Sequence, residues 1–256
     1  MKILGIIQAR MNSTRLPKKV LMKLGEKSVL ENVFTRVGRA KQITEVVVAT
    51  TIGEEDLAIV KLCAEAGQRV FCGSENDVLD RFYQTAKLFS PDHIVRITAD
   101  CPLMDPEVID QVISFHLSSK SDYTANCLEE TFPDGEDVEV FTFNALKEAW
   151  IEAKLASERE HVTPYIRKFP ERLKLSNLRS PVNHGGKRWT LDNKEDYEFI
   201  SSVYKHLSSV PNFGMNDVLK LLEKKPELEA LNRHLTRNEG YAKSLKEDKI
   251  VNTENK

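Results

Sequence analysis

Through the first half of the chain, short β-branched runs alternate with stretches of helical spacing, and no other feature narrows the fold as much. The runs are ILGII (from Ile3), EVVVAT (from Glu45), RVFC (from Arg69) and HIVRIT (from His93). Their near-continuous apolar character suits strands buried on both faces. Between them, Ser28 can cap a helix with Val29, Leu30, Val33, Phe34 and Val37 on one face, closing near Gly38. EEDLAIVKLCAEAG carries acids in its first turn and Gly67 as its stop, and SENDVLDRFYQTAKLF is helical from about Asn76 to Ser90–Pro91. Asp105–Pro106–Glu107 opens a further helix. A βαβαβαβα order of this kind predicts an α/β fold, a mostly parallel sheet with helices on both faces.

The second half is less regular. SDYTAN, EDVEVFTF, LKLSNL and KRWTL read as strands, while NALKEAWIEAKL (capped by Asn144) and NKEDYEFISSVYKHL read as helices. From Pro211 the chain is charged and helical, which predicts a main domain over 1–210 and a helical extension over 211–256, its last ~10 residues disordered. The apolar faces of those helices can pack on the domain or serve a homodimer. Thirty-seven basic against 39 acidic side chains leave a net charge of −2, so no overall field recruits nucleic acid or a membrane surface. No apolar run approaches the ~18 residues of a membrane span, and no secretory signal pattern opens the chain. Four scattered cysteines with no C-x-x-C argue against zinc and for a cytoplasmic protein with reduced thiols.

Directly after the first strand comes QARMNSTRLPKKVL, with Arg10, Arg15, Lys18 and Lys19 among small polar residues. Ligands of open α/β sheets bind outside the carboxyl ends of strands, where this loop begins. Neither G-x-G-x-x-G nor G-x-x-x-x-G-K-[ST] occurs, so a dinucleotide site and a P-loop are disfavoured. Guanidinium forks and turn N–H groups can instead surround a triphosphate. In RITADCPLMDP, Asp100 follows a strand and should stand at the same edge. In RWTLDNKEDYEFI, Asp192 ends another predicted strand. Two carboxylates beside a phosphate loop suit Mg²⁺, which takes few protein ligands and completes its shell from phosphates and water. Asp192 is equally placed to cap the following helix.

These residues carry a resemblance. The loop Q-A-R-x-x-S-T-R-L-P-x-K-x-L resembles the signature of the cytidylyltransferases that make CMP-activated acidic sugars, typified by CMP-Kdo and CMP-sialic acid synthetases. With T-A-D-C-P-L-x-D-P and the later R-N-E-G-Y, the chain is most similar to the branch named for a spore-coat polysaccharide biosynthesis protein. The resemblance implies a Rossmann-like three-layer nucleotidyltransferase domain. It also implies a Mg²⁺-dependent reaction in which a sugar oxygen attacks the α-phosphorus of CTP and pyrophosphate leaves. By position, Gln8, Ala9, Arg10, Ser13, Arg15 and Lys19 would hold the nucleotide, with Ser74 toward the pyrimidine. Asp100 and Asp192 would hold the metal, and Arg15, Lys19 and Asp100 would be catalytic. Lys18 replaces a glycine of the CMP-Kdo loop, and Thr190 stands where sialic-acid relatives have the first Asp of Asp-x-Asp.

Three stretches are candidates for the sugar. Glu136 and Glu139 would share one face of the EDVEVF strand, with Asp137 on the other. His161, after Arg159 and Glu160, could meet a hydroxyl or carboxylate. NHGGKRW resembles a mobile loop that closes Lys187 and Arg188 over an anion. Other readings are a glycosyltransferase using a nucleotide sugar, against which the absence of Asp-x-Asp counts, and a silent binding module of the same fold.

Overall fold

The computed structural model describes residues 1–251. Strand β1 (Ile3–Gln8) lies inside a seven-stranded sheet, parallel to β4 (Glu45–Thr51) on one side and β6 (His93–Thr98) on the other. Beyond β4 comes β5 (Arg69–Gly73). Beyond β6 come β8 (Glu139–Thr142), β7 (Tyr123–Ala125) and β9 (Leu175–Asn177). Only β8 runs against the rest, so the sheet is mostly parallel, as the alternating pattern predicts.

Successive side chains of β1 enter different cores. Ile3 and Ile7 join the cluster under α1 (Val29–Val37), α2 (Leu57–Glu65) and α4 (Pro106–Ser119), while Leu4 and Ile6 face α3 (Val78–Phe89) and α5 (Phe143–Glu152). Gly5 lets this layer close tightly: a Cβ there would stand 3.2 Å from Ile43.

Two of the expected caps, Ser28 and Asp105, are local and form. Ser28, at the end of the short hairpin β2 (Lys23–Leu24) and β3 (Lys27–Ser28), accepts from Glu31 N, and the Glu31 carboxylate accepts from Ser28 N. Asp105 accepts from Glu107 N ahead of Pro106. Asp77 accepts from Asp80 N, which starts α3 two residues later than the spacing suggests. The cap of α5 is Thr142, not Asn144, because its hydroxyl reaches Ala145 N at 3.1 Å.

Two expected strands change. KRWTL forms no strand and makes one isolated bridge, Asp134 to Arg188, against a loop residue. EDVEVFTF is a strand only from Glu139, so Glu136 and Asp137 precede it and the alternation argument does not reach them. After α6 (Ala156–His161) and α7 (Pro164–Lys168), helices α8 (Lys194–His206) and α9 (Met215–Lys224) close a third cluster. In it, Phe199, Ile200 and Val203 meet Val218 and Leu222 as well as Leu103 and Trp189. A 3₁₀ turn (Pro226–Leu231) leads to α10 (Glu239–Lys246).

The expected disordered tail is ordered as far as 251. Ala156 N donates to Lys249 O, Val251 N donates to Lys154 O, and Ser157 N and Oγ donate to Asp248. The remainder of that tail lies outside the described residues. No helix among the described residues is long and apolar enough to cross a membrane.

Chain order reverses between β1 and β6, which makes their carboxyl ends the crevice where such sheets bind ligands. Gln8 lies opposite Thr98 there, so the basic loop and Asp100 leave the sheet side by side.

Candidate active site

The basic loop folds back on its own backbone. Met11 O accepts from Ser13 N and Lys18 N, and Met11 N donates to the buried Asp56 at 2.6 Å. Lys18 takes a left-handed φ of 61°, a conformation that costs a glycine nothing, which accounts for the glycine of the CMP-Kdo loop. The turn sends Lys19 inward. Its ammonium donates to Asp100 Oδ2 (2.9 Å), Asp192 Oδ1 (2.9 Å) and Leu191 O (2.8 Å). Three donors thus meet three acceptors. Burial pulls this ammonium down, but Asp100 and Asp192 outweigh it and hold it above its ordinary value. Burial pushes Asp100 up, yet Lys19 and the Thr98 hydroxyl bring it to about 2. The Asp100 carboxylate is therefore ionised at neutral pH.

Asp192 arrives through long-range backbone pairing rather than a strand. Leu191 N donates to Asp100 O at 2.8 Å, Trp189 N donates to Asp134 O, and Asp134 N donates to Lys187 O. Gly135 (φ +108°) permits that approach, since a Cβ on it would lie 2.6 Å from the Trp189 carbonyl carbon. Asp192 does not cap α8. Asn193 holds the cap position, and its N–H donates to Asp196 Oδ2 at 2.9 Å. The Asp192 carboxylate faces cations instead: Lys19 on Oδ1, and Arg15 (2.9 Å) and Arg188 (3.4 Å) on Oδ2.

Asp100 and Asp192 both aim at one ammonium-sized point, so the donor set fits a hard divalent ion that takes its other oxygens from substrate. No group of three or more His, Cys, Asp or Glu side chains suited to a metal occurs among the described residues. Thr190 adds nothing there, as its hydroxyl points to Asp100 O at 3.5 Å.

The other expected site residues divide. Arg15 stands at the crevice with its fork on Asp192 and Glu239, and Arg10 is exposed. Gln8 Oε1 accepts from Arg96, Ala9 is buried with its N–H on Ala49 O, and Ser13 Oγ accepts from Leu16 N at 3.4 Å. Ser74 Oγ accepts from Asp77 N.

Lys187 and Arg188 do not form a loop waiting for an anion. Lys187 pairs with Glu229 at 2.6 Å. Arg188 is buried, bidentate on Asp196 (2.9 and 3.0 Å) and 3.1 Å from Asp134. The preceding Gly185 packs so closely that a Cβ would lie 2.0 Å from Glu130 O. Glu136 is wholly buried, accepting from Asp105 N at 2.8 Å, and burial raises it well above its ordinary value. Glu139 is held by Arg96, Tyr123 and Thr163. His161 Nε2 pairs with Ser244 Oγ at 3.0 Å, and burial lowers it to about 4, so it is neutral. Sequence reasoning assigned no part to Asp196, Asn232, Arg237 or Glu239. RNEGY marked the last two only as a motif.

A family model described as "Cytidylyltransferase" matches residues 4–240. The Methanocaldococcus jannaschii protein MJ1063 is 42% identical over 237 residues, covering 92% of this chain and 96% of its own. The Bacillus subtilis spore coat polysaccharide biosynthesis protein SpsF is 38% identical over 232 residues, 88% of this chain and 95% of its own. A solved cytidylyltransferase from Leptospira borgpetersenii superposes with a TM-score of 0.84 at 33% identity, over 90% of this chain and 97% of that one.

Proposed function

This chain belongs to the cytidylyltransferase family, and from that premise we propose that it activates an acidic sugar with CTP and Mg²⁺, releasing pyrophosphate, for surface polysaccharide synthesis. The observation that carries this reading is the convergence of Asp100 and Asp192 on one cation at the carboxyl edge of β1 and β6, beside the basic loop. Arg15 and Arg10, with N–H groups of the loop, would hold the triphosphate. Arg suits the task because its fork meets two phosphate oxygens at once. Lys19 holds the two carboxylates together before substrate arrives. It can reach a phosphate oxygen only by giving up one of its three acceptors. Asp100 and Asp192 would hold Mg²⁺, whose charge stabilises the leaving pyrophosphate and polarises the attacking oxygen when bound. Displacement at phosphorus relies on positioning and charge rather than on covalent help, and these side chains offer both.

The test is pyrophosphate release from CTP, UTP and ATP across acidic and neutral sugars, with Mg²⁺ and with EDTA. Release from CTP with an acidic sugar, abolished by EDTA, is the expected result. No release with any pair overturns the proposal. Transfer from a nucleotide sugar, with nucleoside diphosphate as product, points to a glycosyltransferase instead.

A further inference from the structure

Beyond the third cluster the chain doubles back across the crevice as a strap. Asn232 Nδ2 donates to Arg188 O (3.0 Å) and Asp196 Oδ1 (2.9 Å), Thr236 O accepts from Arg188, and Arg237 reaches Asp137 at 2.5 Å. Past α10, Asp248 holds Ser157, and residues 249–251 pair with 154–156. The strap is thus tied at both ends. Its middle is looser. Helix α10 buries none of its residues, and its contacts are partly exposed: Ser244 with Glu160 and His161, and the Tyr241 ring against His161. Few buried contacts mark a segment that opens at low cost.

The first residue of that middle is Glu239, whose Oε2 sits 2.8 Å from Arg15 NH1 while Asp192 takes Arg15 NH2. With a carboxylate already on each terminal nitrogen, a phosphate that takes both of those nitrogens must compete for them. Asp192 belongs to the carboxylate pair of the crevice, whereas Glu239 comes from outside the sheet. We propose that Glu239 is a built-in competitor. It closes the strap over the triphosphate place through Arg15, and an incoming nucleoside triphosphate displaces it, releasing the first turn of α10. The proposal rests on the triphosphate reading of the site. Arg15 and Glu239 are 33% and 43% exposed, so the pair is weak enough for a triphosphate to displace. A pair of this kind shifts an equilibrium by a factor of about two to five.

The experiment is calorimetry of CTP binding to the wild-type chain and to Glu239→Gln in EDTA, where no turnover occurs. Hydrogen exchange across residues 239–246 is followed alongside. Glu239→Gln should bind CTP about two- to fivefold more tightly, and CTP should speed exchange in α10 of the wild type. Equal or weaker binding by Glu239→Gln overturns the competitor role, as does exchange in α10 that slows with CTP. Absence of CTP binding from both chains overturns the triphosphate reading on which the proposal stands.

Discussion

Asp192 lies between two charge clusters built from the same residue types but set at different depths. On one side, Arg188, Asp196, Asp134 and Asn232 form a knot in which Arg188 is 6% exposed and Asp196 not at all. Burial works against both charges. Hydrogen bonds between them outweigh it, holding Arg188 above and Asp196 below their ordinary values. On the other side, Arg15 is a third exposed and shares its fork between Asp192 and a carboxylate of the strap. Depth decides what each can do. A desolvated knot costs too much to open, so it can only position, whereas a half-solvated cluster can exchange partners.

Removing a charge from the knot is the strongest way to break this contrast. Arg188→Met leaves Asp196 buried without its guanidinium and should cost about 3–5 kcal/mol, read by urea denaturation. A loss below ~1 kcal/mol would mean that the knot is no more structural than the loop.

The expectation for Asp192→Asn is the reverse. Because Asn193 holds the cap position, the melting temperature should stay within a few degrees. Pyrophosphate release, by contrast, should fall about 10²–10³-fold, the effect of losing one preorganised charge. Full activity in this variant would remove Asp192 from the working side of the comparison.

The smallest effect sharpens the contrast at a third point. Glu136 is buried like the knot but no cation among the described residues is bonded to it, and burial raises its carboxyl well above 4.5. The folded chain therefore holds this proton more tightly than the unfolded one. Its contribution is complete below about 4.5 and is lost as pH rises through the folded value. Glu136→Gln, which copies the protonated acid, should keep full activity and lose less stability than wild type as pH rises above about 4.5, by thermal melts. Lost activity with an unchanged melt would return Glu136 to the substrate side.

The parts legible in the sequence were those decided within a few residues. Alternation in Ile3–Gln8, the Ser28–Glu31 box and Asp105–Pro106 all act through neighbours on the same strand or turn, and they set the layers and strand ends. From strand ends, the places of the basic loop and Asp100 followed, because a parallel sheet delivers its loops to one edge. The same local reading took KRWTL for a strand, since a β-branched or aromatic run shows propensity but not whether a neighbour exists to pair with it.

Only the tertiary structure decided which charges were free. Asp196 looks like any acid in a helix's first turn until Arg188 and Asn232 are brought onto it, and Glu239 meets Arg15 across 224 residues of chain. Lys187 and Arg188 looked available for an anion because sequence shows charge but not its partner. Partner choice depends on distances of a few ångströms and on how much water the fold removes, and neither is set until distant segments pack together.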